Sequence, residues 1–200
     1  NCSWFLEDDP YSSLLYSGET MPLIASMMES EALLTGSFSK TVSPSLRVGW
    51  IRAPKRAIDR LIPLKQAMDL HTGLLSQMIL FHFLIENPLE EHLESLRKTY
   101  QEKQRTMVRA IKEHHLPVKE FAPPEGGMFL WVEFDQAIES NRLAKEALLQ
   151  GVAIVPGGAF FAGTPPGNFA RLNFTSVSHE SINEGIRRLA RAVNDIYLPV

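Results

Sequence analysis

With 200 residues, 44% hydrophobic and 22% charged, the chain can bury one sizeable core or two small ones, and its composition excludes a disordered segment. A net charge of −3 gives no general electrostatic reason to bind nucleic acid, so no nucleic-acid contact is expected from this segment. The one cysteine, Cys2, excludes an intrachain disulfide and lacks a basic neighbour that would activate it; neither a secretory signal pattern nor an apolar run of membrane-spanning length is present, so a cytoplasmic protein without a membrane partner is expected.

Residues 4–7 form a short apolar run ending in acids and Pro10, the pattern of a buried strand that delivers polar groups at its carboxyl end, with Asp8 and Tyr11 in the exit. A second strand is predicted over 33–37, just before Lys40, and a third over 46–53, stopped by Pro54. From Pro54 to about His115 the pattern is helical, broken at 69–73 and at Asn87-Pro88. There Asn87 as N-cap and Pro88 at the first helical position predict the start of a long helix, in which Leu89, Leu93, Leu96, Tyr100, Met107 and Ile111 recur at helical spacing. Beyond Val118, strands are predicted over 128–134, 152–155 and 169–174. Helices are predicted over 142–150 and 180–194, the last capped by Ser178 and burying Ile182, Ile186, Leu189 and Val193. The expected fold class is α/β: residues 1–88 as part of a larger sheet domain, 89–117 as a connecting helix and 118–200 as a small α/β domain.

The stretch from Gly36 to Trp50 sets Lys40 among hydroxyls, with Ser37 and Ser39 before it and Arg47 seven residues after. That spacing suits an amine held beside a phosphate. A lysine that forms a Schiff base with pyridoxal 5'-phosphate needs its amine near the aldehyde, while the phosphate needs hydroxyl donors and a fixed cation. Ligands of open α/β sheets sit outside the carboxyl ends of strands, so Asp8 and Lys40, each just after a strand, fit a shared site. The plainer alternatives are a solvated lysine in a Ser-rich loop and a polar turn at Asp8-Asp9-Pro10-Tyr11. Arg171 lies between Phe169, Leu172 and Phe174 on a predicted strand, where a buried cation needs an anion; a structural ion pair is the alternative. Asp69 and His71 need not face each other, and no serine nucleophile motif accompanies them. His114-His115 has no second ligand cluster at a spacing that would make a metal site.

The Gly36 to Trp50 stretch resembles the cofactor-lysine signature of class I/II aminotransferases of fold type I. Glu7-Asp8-Asp9-Pro10-Tyr11, Lys65-Gln66-Ala67-Met68-Asp69-Leu70-His71-Thr72, Pro124-Glu125-Gly126-Gly127-Met128-Phe129-Leu130-Trp131 and Val155-Pro156-Gly157-Gly158 resemble further landmarks of that family, in its order. The resemblance looks closest to the 2-aminoadipate and multi-substrate aminotransferases and to the aminotransferase-like domain of MocR regulators of the GntR family. It implies the last part of a PLP-binding large domain with a mostly parallel sheet, followed by a small domain, in a C-terminal fragment that belongs to a homodimer. By the same resemblance Lys40 is the catalytic Schiff-base lysine and Asp8 faces the cofactor's ring nitrogen. Tyr11 faces its phenolic oxygen, Ser37, Ser39 and Arg47 bind its phosphate, and Arg171 binds the substrate α-carboxylate. The implied function is amino transfer between an amino acid and a 2-oxo acid. The alternative is a PLP-binding effector domain of a transcription regulator whose winged helix lies outside this chain.

Overall fold

A computed structural model describes residues 4–28 and 31–197, so Cys2 lies outside the described residues. The chain divides into two compact units, residues 1–97 and 98–200, with the boundary inside a helix.

In the first unit, β1 (Phe5–Asp8), β2 (Ala32–Ser37) and β3 (Gly49–Arg52) form a three-stranded sheet in that order. β1 and β2 run parallel, with Asp8 opposite Thr35, and β3 returns antiparallel with Gly49 opposite Ser37. The parallel pair requires a long crossover, and Glu7 anchors it: its carboxylate accepts the backbone N–H groups of Ile24 at 3.2 Å and Ala25 at 2.7 Å, at the start of a short 3-10 turn. β3 starts three residues later than the sequence pattern predicts. Residues Pro44–Leu46 make a 3-10 turn and Arg47 takes a left-handed backbone conformation (φ 54°), which stops the strand from extending backwards.

Helices α1 (Lys55–Asp69) and α2 (Leu74–Glu86) follow, then α3 (Leu89–Glu113), which crosses the unit boundary. Asn87 does not act as the N-cap of α3. Its side-chain amide and its backbone N–H both donate to the Phe83 carbonyl and close α2, while the Pro88 carbonyl accepts from His92 in the first turn of α3. The core of this unit is small: Leu14, Ala32, Leu34, Ala57, Leu80 and Leu93 are buried.

The second unit holds β4 (Phe129–Glu133), α4 (Ser140–Leu149), β5 (Val155–Pro156), β6 (Phe169–Asn173) and α5 (His179–Tyr197). Its strands are ordered β4-β6-β5, all antiparallel neighbours. The strand expected over 152–155 shortens at its start to β5, because the Val152 N–H donates back to the Ala147 carbonyl of α4 at 2.8 Å and closes that helix; Gly157 then turns at once into a 3-10 helix. Leu130, Val132, Ala170 and Leu172 point from one sheet face into a core shared with Leu143 and Ala147 of α4, Ile182, Ile186, Leu189 and Val193 of α5, and Met107, Ala110 and Ile111 of α3. Glu139 caps α4 by accepting from Asn141 and Arg142; Ser178 caps α5 by accepting the Ser181 N–H at 3.2 Å. Among the described residues no helix is long and apolar enough to cross a membrane.

Candidate active site

Because β1 and β2 are parallel, Asp8 and Ser37 close their strands at the same end, and the antiparallel pairing of Ser37 with Gly49 brings Arg47 there as well. Three segments distant in sequence thus deliver polar groups to one sheet end. The Asp8 carboxylate accepts from Thr35 Oγ1 at 2.7 Å, across the strand pair. That hydroxyl fixes one carboxylate oxygen and orients the group at the strand exit.

The loop after β2 is built around hydroxyls. Ser37 Oγ accepts the Ser39 backbone N–H at 3.1 Å, and Ser39 Oγ accepts from Arg47 Nη1 at 3.3 Å. Arg47 Nη1 also donates to the Pro44 carbonyl at 3.2 Å, and no carboxylate pairs with this guanidinium among the described residues. Lys40 Nζ lies 6.0 Å from the centroid of the Tyr11 ring, at the outer range of a cation–π contact. Of the residues expected in the site, Ser37, Ser39 and Arg47 are joined by hydrogen bonds, Lys40 meets Tyr11, and Asp8 ends the neighbouring strand. Donors are concentrated at Ser37, Ser39 and Arg47, and the carboxylate stands apart at Asp8. Such a set fits a ligand with an anionic end and a basic ring nitrogen.

Two positioning groups escaped the sequence analysis. Thr35 shares a strand face with Ser37 by ordinary alternation, a signal that was available. His92 was not detectable, since its ring nitrogen reaches the Thr41 carbonyl at 2.7 Å from 51 residues away. The edge of the Phe83 ring packs on that imidazole, 5.2 Å between centroids at 83°, so α2 and α3 together hold the lysine loop.

Asp69 pairs with Lys65 at 2.6 Å, while His71 Nδ1 contacts the Thr72 carbonyl at 2.9 Å, so this stretch forms no His-Asp pair. His114 joins Asn183 at 2.9 Å and is half-buried, while His115 at the helix end is exposed.

Arg171 belongs to the second unit, on the central strand β6 and on the sheet face opposite the core, where it sits across from Trp131. Its guanidinium carbon lies over the rings of Phe129 at 4.2 Å and Phe160 at 4.9 Å. Nε is buried without a hydrogen-bond partner, and no carboxylate pairs with Arg171 among the described residues. A buried N–H of a permanent cation left without an acceptor is costly, and a bound anion would satisfy it.

The family model of class I and II aminotransferases matches residues 1–189. The chain belongs to that family. It is 38% identical over 191 residues to an aromatic-amino-acid aminotransferase of Thermococcus litoralis, covering 95% of this chain and 46% of the relative. An HTH-type transcriptional regulator of Bacillus subtilis, YisV, is 30% identical over 194 residues, which cover 96% of this chain and 40% of the regulator. Among solved structures, LysN, the α-aminoadipate aminotransferase of Thermus thermophilus complexed with N-(5'-phosphopyridoxyl)-L-leucine, superposes with a TM-score of 0.89 at 36% identity, over 98% of this chain and 51% of that one. The α/β class and the family resemblance therefore hold. The chain spans about half the length of the relatives it matches.

Proposed function

We propose that this chain carries the lysine-bearing part of a pyridoxal 5'-phosphate-dependent aminotransferase that moves an amino group between an amino acid and a 2-oxo acid. The observation that carries the reading is the meeting of Lys40 with Tyr11, and of Ser37 and Ser39 with an Arg47 that no carboxylate among the described residues neutralises, at one sheet end. When bound, the cofactor supplies an electron sink for the carbon that loses its proton. Lys40 would hold it covalently through Nζ and would move the proton at the substrate α-carbon. Ser37, Ser39 and Arg47 bind its phosphate, where a fork of N–H donors suits phosphate oxygens. Asp8, oriented by Thr35, keeps the ring nitrogen protonated, and Tyr11 donates towards the phenolic oxygen. Arg171 receives the substrate carboxylate, which its unpartnered Nε favours. A homodimer is part of this reading.

The test uses the whole reading frame that contains this chain. Protein incubated with PLP, reduced with borohydride and weighed intact gains one phosphopyridoxyl group in the wild type and none in Lys40→Ala; an unmodified wild type sinks the proposal. Arg47→Ala weakens PLP binding by about ten-fold or more, the scale of a lost hydrogen bond to a charged group.

The occurrence of HTH-type regulators among the relatives favours a second reading, a PLP-binding effector domain. Turnover of amino acid with 2-oxo acid separates the two. A Lys40 adduct that forms but supports no amino transfer with any donor selects the effector.

A further inference from the structure

The open face of β4, β6 and β5 carries a set of aromatic rings that the proposed reaction does not itself require. Trp131 stacks on Phe169 at 5.6 Å and 23°, and meets Phe160 edge-on at 5.4 Å. Gly157 permits this: a Cβ there would fall 2.6 Å from Phe169 Cβ and 2.8 Å from the far edge of Trp131, so only a glycine lets the turn bearing Phe160 come so close. Trp131 thereby buttresses Phe160, and Phe160 and Phe129 flank the Arg171 guanidinium.

We propose that Phe160 and Phe129 are specificity-determining residues of the Arg171 site, which they restrict to planar carboxylates against tetrahedral oxyanions of equal charge. This rests on the reading of Arg171 as an anion receiver. Two rings within cation–π range take up space beside the guanidinium without neutralising its charge, so an incoming anion reaches the N–H groups through the gap the rings leave. A carboxylate is flat and can present both oxygens in the plane of the N–H fork. A sulfonate carries a third oxygen out of the plane defined by its sulfur and the other two oxygens, which must push against a ring. Both rings reach Arg171 from the face opposite the core, and Phe160 is 51% exposed, so its role is not that of a core residue.

The experiment follows the Arg171 Nε–H signal by 15N NMR in the whole protein that contains this chain, assigned with Arg171→Lys, during titration with benzoate and with benzenesulfonate. The two probes share charge and ring. Benzoate is expected to half-saturate the shift at a concentration about ten-fold lower or more, by the cost of displacing a packed ring. Phe160→Leu, a substitution at a half-exposed position that the fold tolerates, should bring the two within about three-fold, while Phe160→Trp, which keeps a flat face, retains the preference. A preference unchanged in Phe160→Leu, or absent from the wild type, overturns the proposal, and the first outcome would trace selectivity to acceptor basicity alone. If neither anion moves the signal, Arg171 is not an anion receiver, and the reading beneath fails with the inference.

Discussion

The two sheets of this chain, each of three strands, differ in how they are covered. In the second unit one face of β4-β6-β5 is sealed by α3, α4 and α5, with Leu130, Val132, Ala170, Phe134 and Phe174 fully buried. In the first unit β2 alternates between buried and half-buried positions and every residue of β3 is exposed, Ile51 at 50%. Its helices repeat the contrast: Leu64, Met68, Leu74, Leu75, Phe81 and Ile85 all face outward on α1 and α2. The second unit closes its own hydrophobic core, whereas the first leaves apolar surface far larger than scattered surface residues explain. Most of the candidate cofactor groups thus stand on the less consolidated unit, and Arg171 on the consolidated one.

That comparison can be broken by experiment. Phe174→Ala should destabilise the second unit by about 3–5 kcal/mol in denaturant unfolding, while Ile51→Ala should cost less than about 1 kcal/mol, because a half-exposed side chain leaves no closed cavity. Equal costs would mean that the first sheet is covered as well as the second. A smaller effect is expected from added methyl groups. At Gly157 a Cβ meets Phe169 Cβ at 2.6 Å and its carbonyl at 2.9 Å, atoms that cannot swing aside, so Gly157→Ala should cost about 1–3 kcal/mol. Gly36→Ala meets the outer ring of Trp50 at 2.3 Å, but that ring is 42% exposed and can turn away, so the thermal midpoint should move much less. Removing the cap of α4 with Glu139→Ala should lower stability by about 1 kcal/mol.

The mildest effect concerns acid. Glu184 on α5 accepts hydrogen bonds from Arg187 and Arg188, which hold its carboxyl at about 2 against an ordinary 4.5. A depressed carboxylate contributes stability that is fully present above 4.5 and is lost as pH falls through about 2. Glu184→Gln should flatten the stability profile within that window and leave it unchanged near neutrality, as a pH series of melting curves would reveal. Solvent around these partly exposed side chains screens the pairs and keeps the effect small.

The helices were largely legible because their packing repeats every few residues: α3 and α5 begin and end within a few residues of where apolar spacing and Ser178 put them. Strands were legible where apolar runs are long, as in β4 and β6, and less so where backbone conformation decides. Nothing in the identities of Leu46 and Arg47 announces a 3-10 turn and a left-handed residue in place of two strand positions. Asn87 carries a good N-cap signal, yet its amide serves the preceding helix, joining its own backbone N–H on the Phe83 carbonyl. The order of Asp8, Lys40 and Arg47 along the chain suggested a common site, and strand direction supplied the reason. The His92 to Thr41 link and the rings around Arg171 depend on tertiary approach, for which local pattern holds no signal.

Arg47 meets two demands that pull towards different amino acids. Its backbone, at φ 54°, is one where a side chain costs about 1–2 kcal/mol and where glycine or asparagine sits at ease; its guanidinium is the cation of the lysine loop. A drift to Gly or Asn would relieve that backbone and strip the loop of its guanidinium. Under the role proposed for Arg47, consensus-style stabilisation would therefore select against ligand binding at this position, and a variant that melts higher while binding phosphate less well is the signature of that conflict.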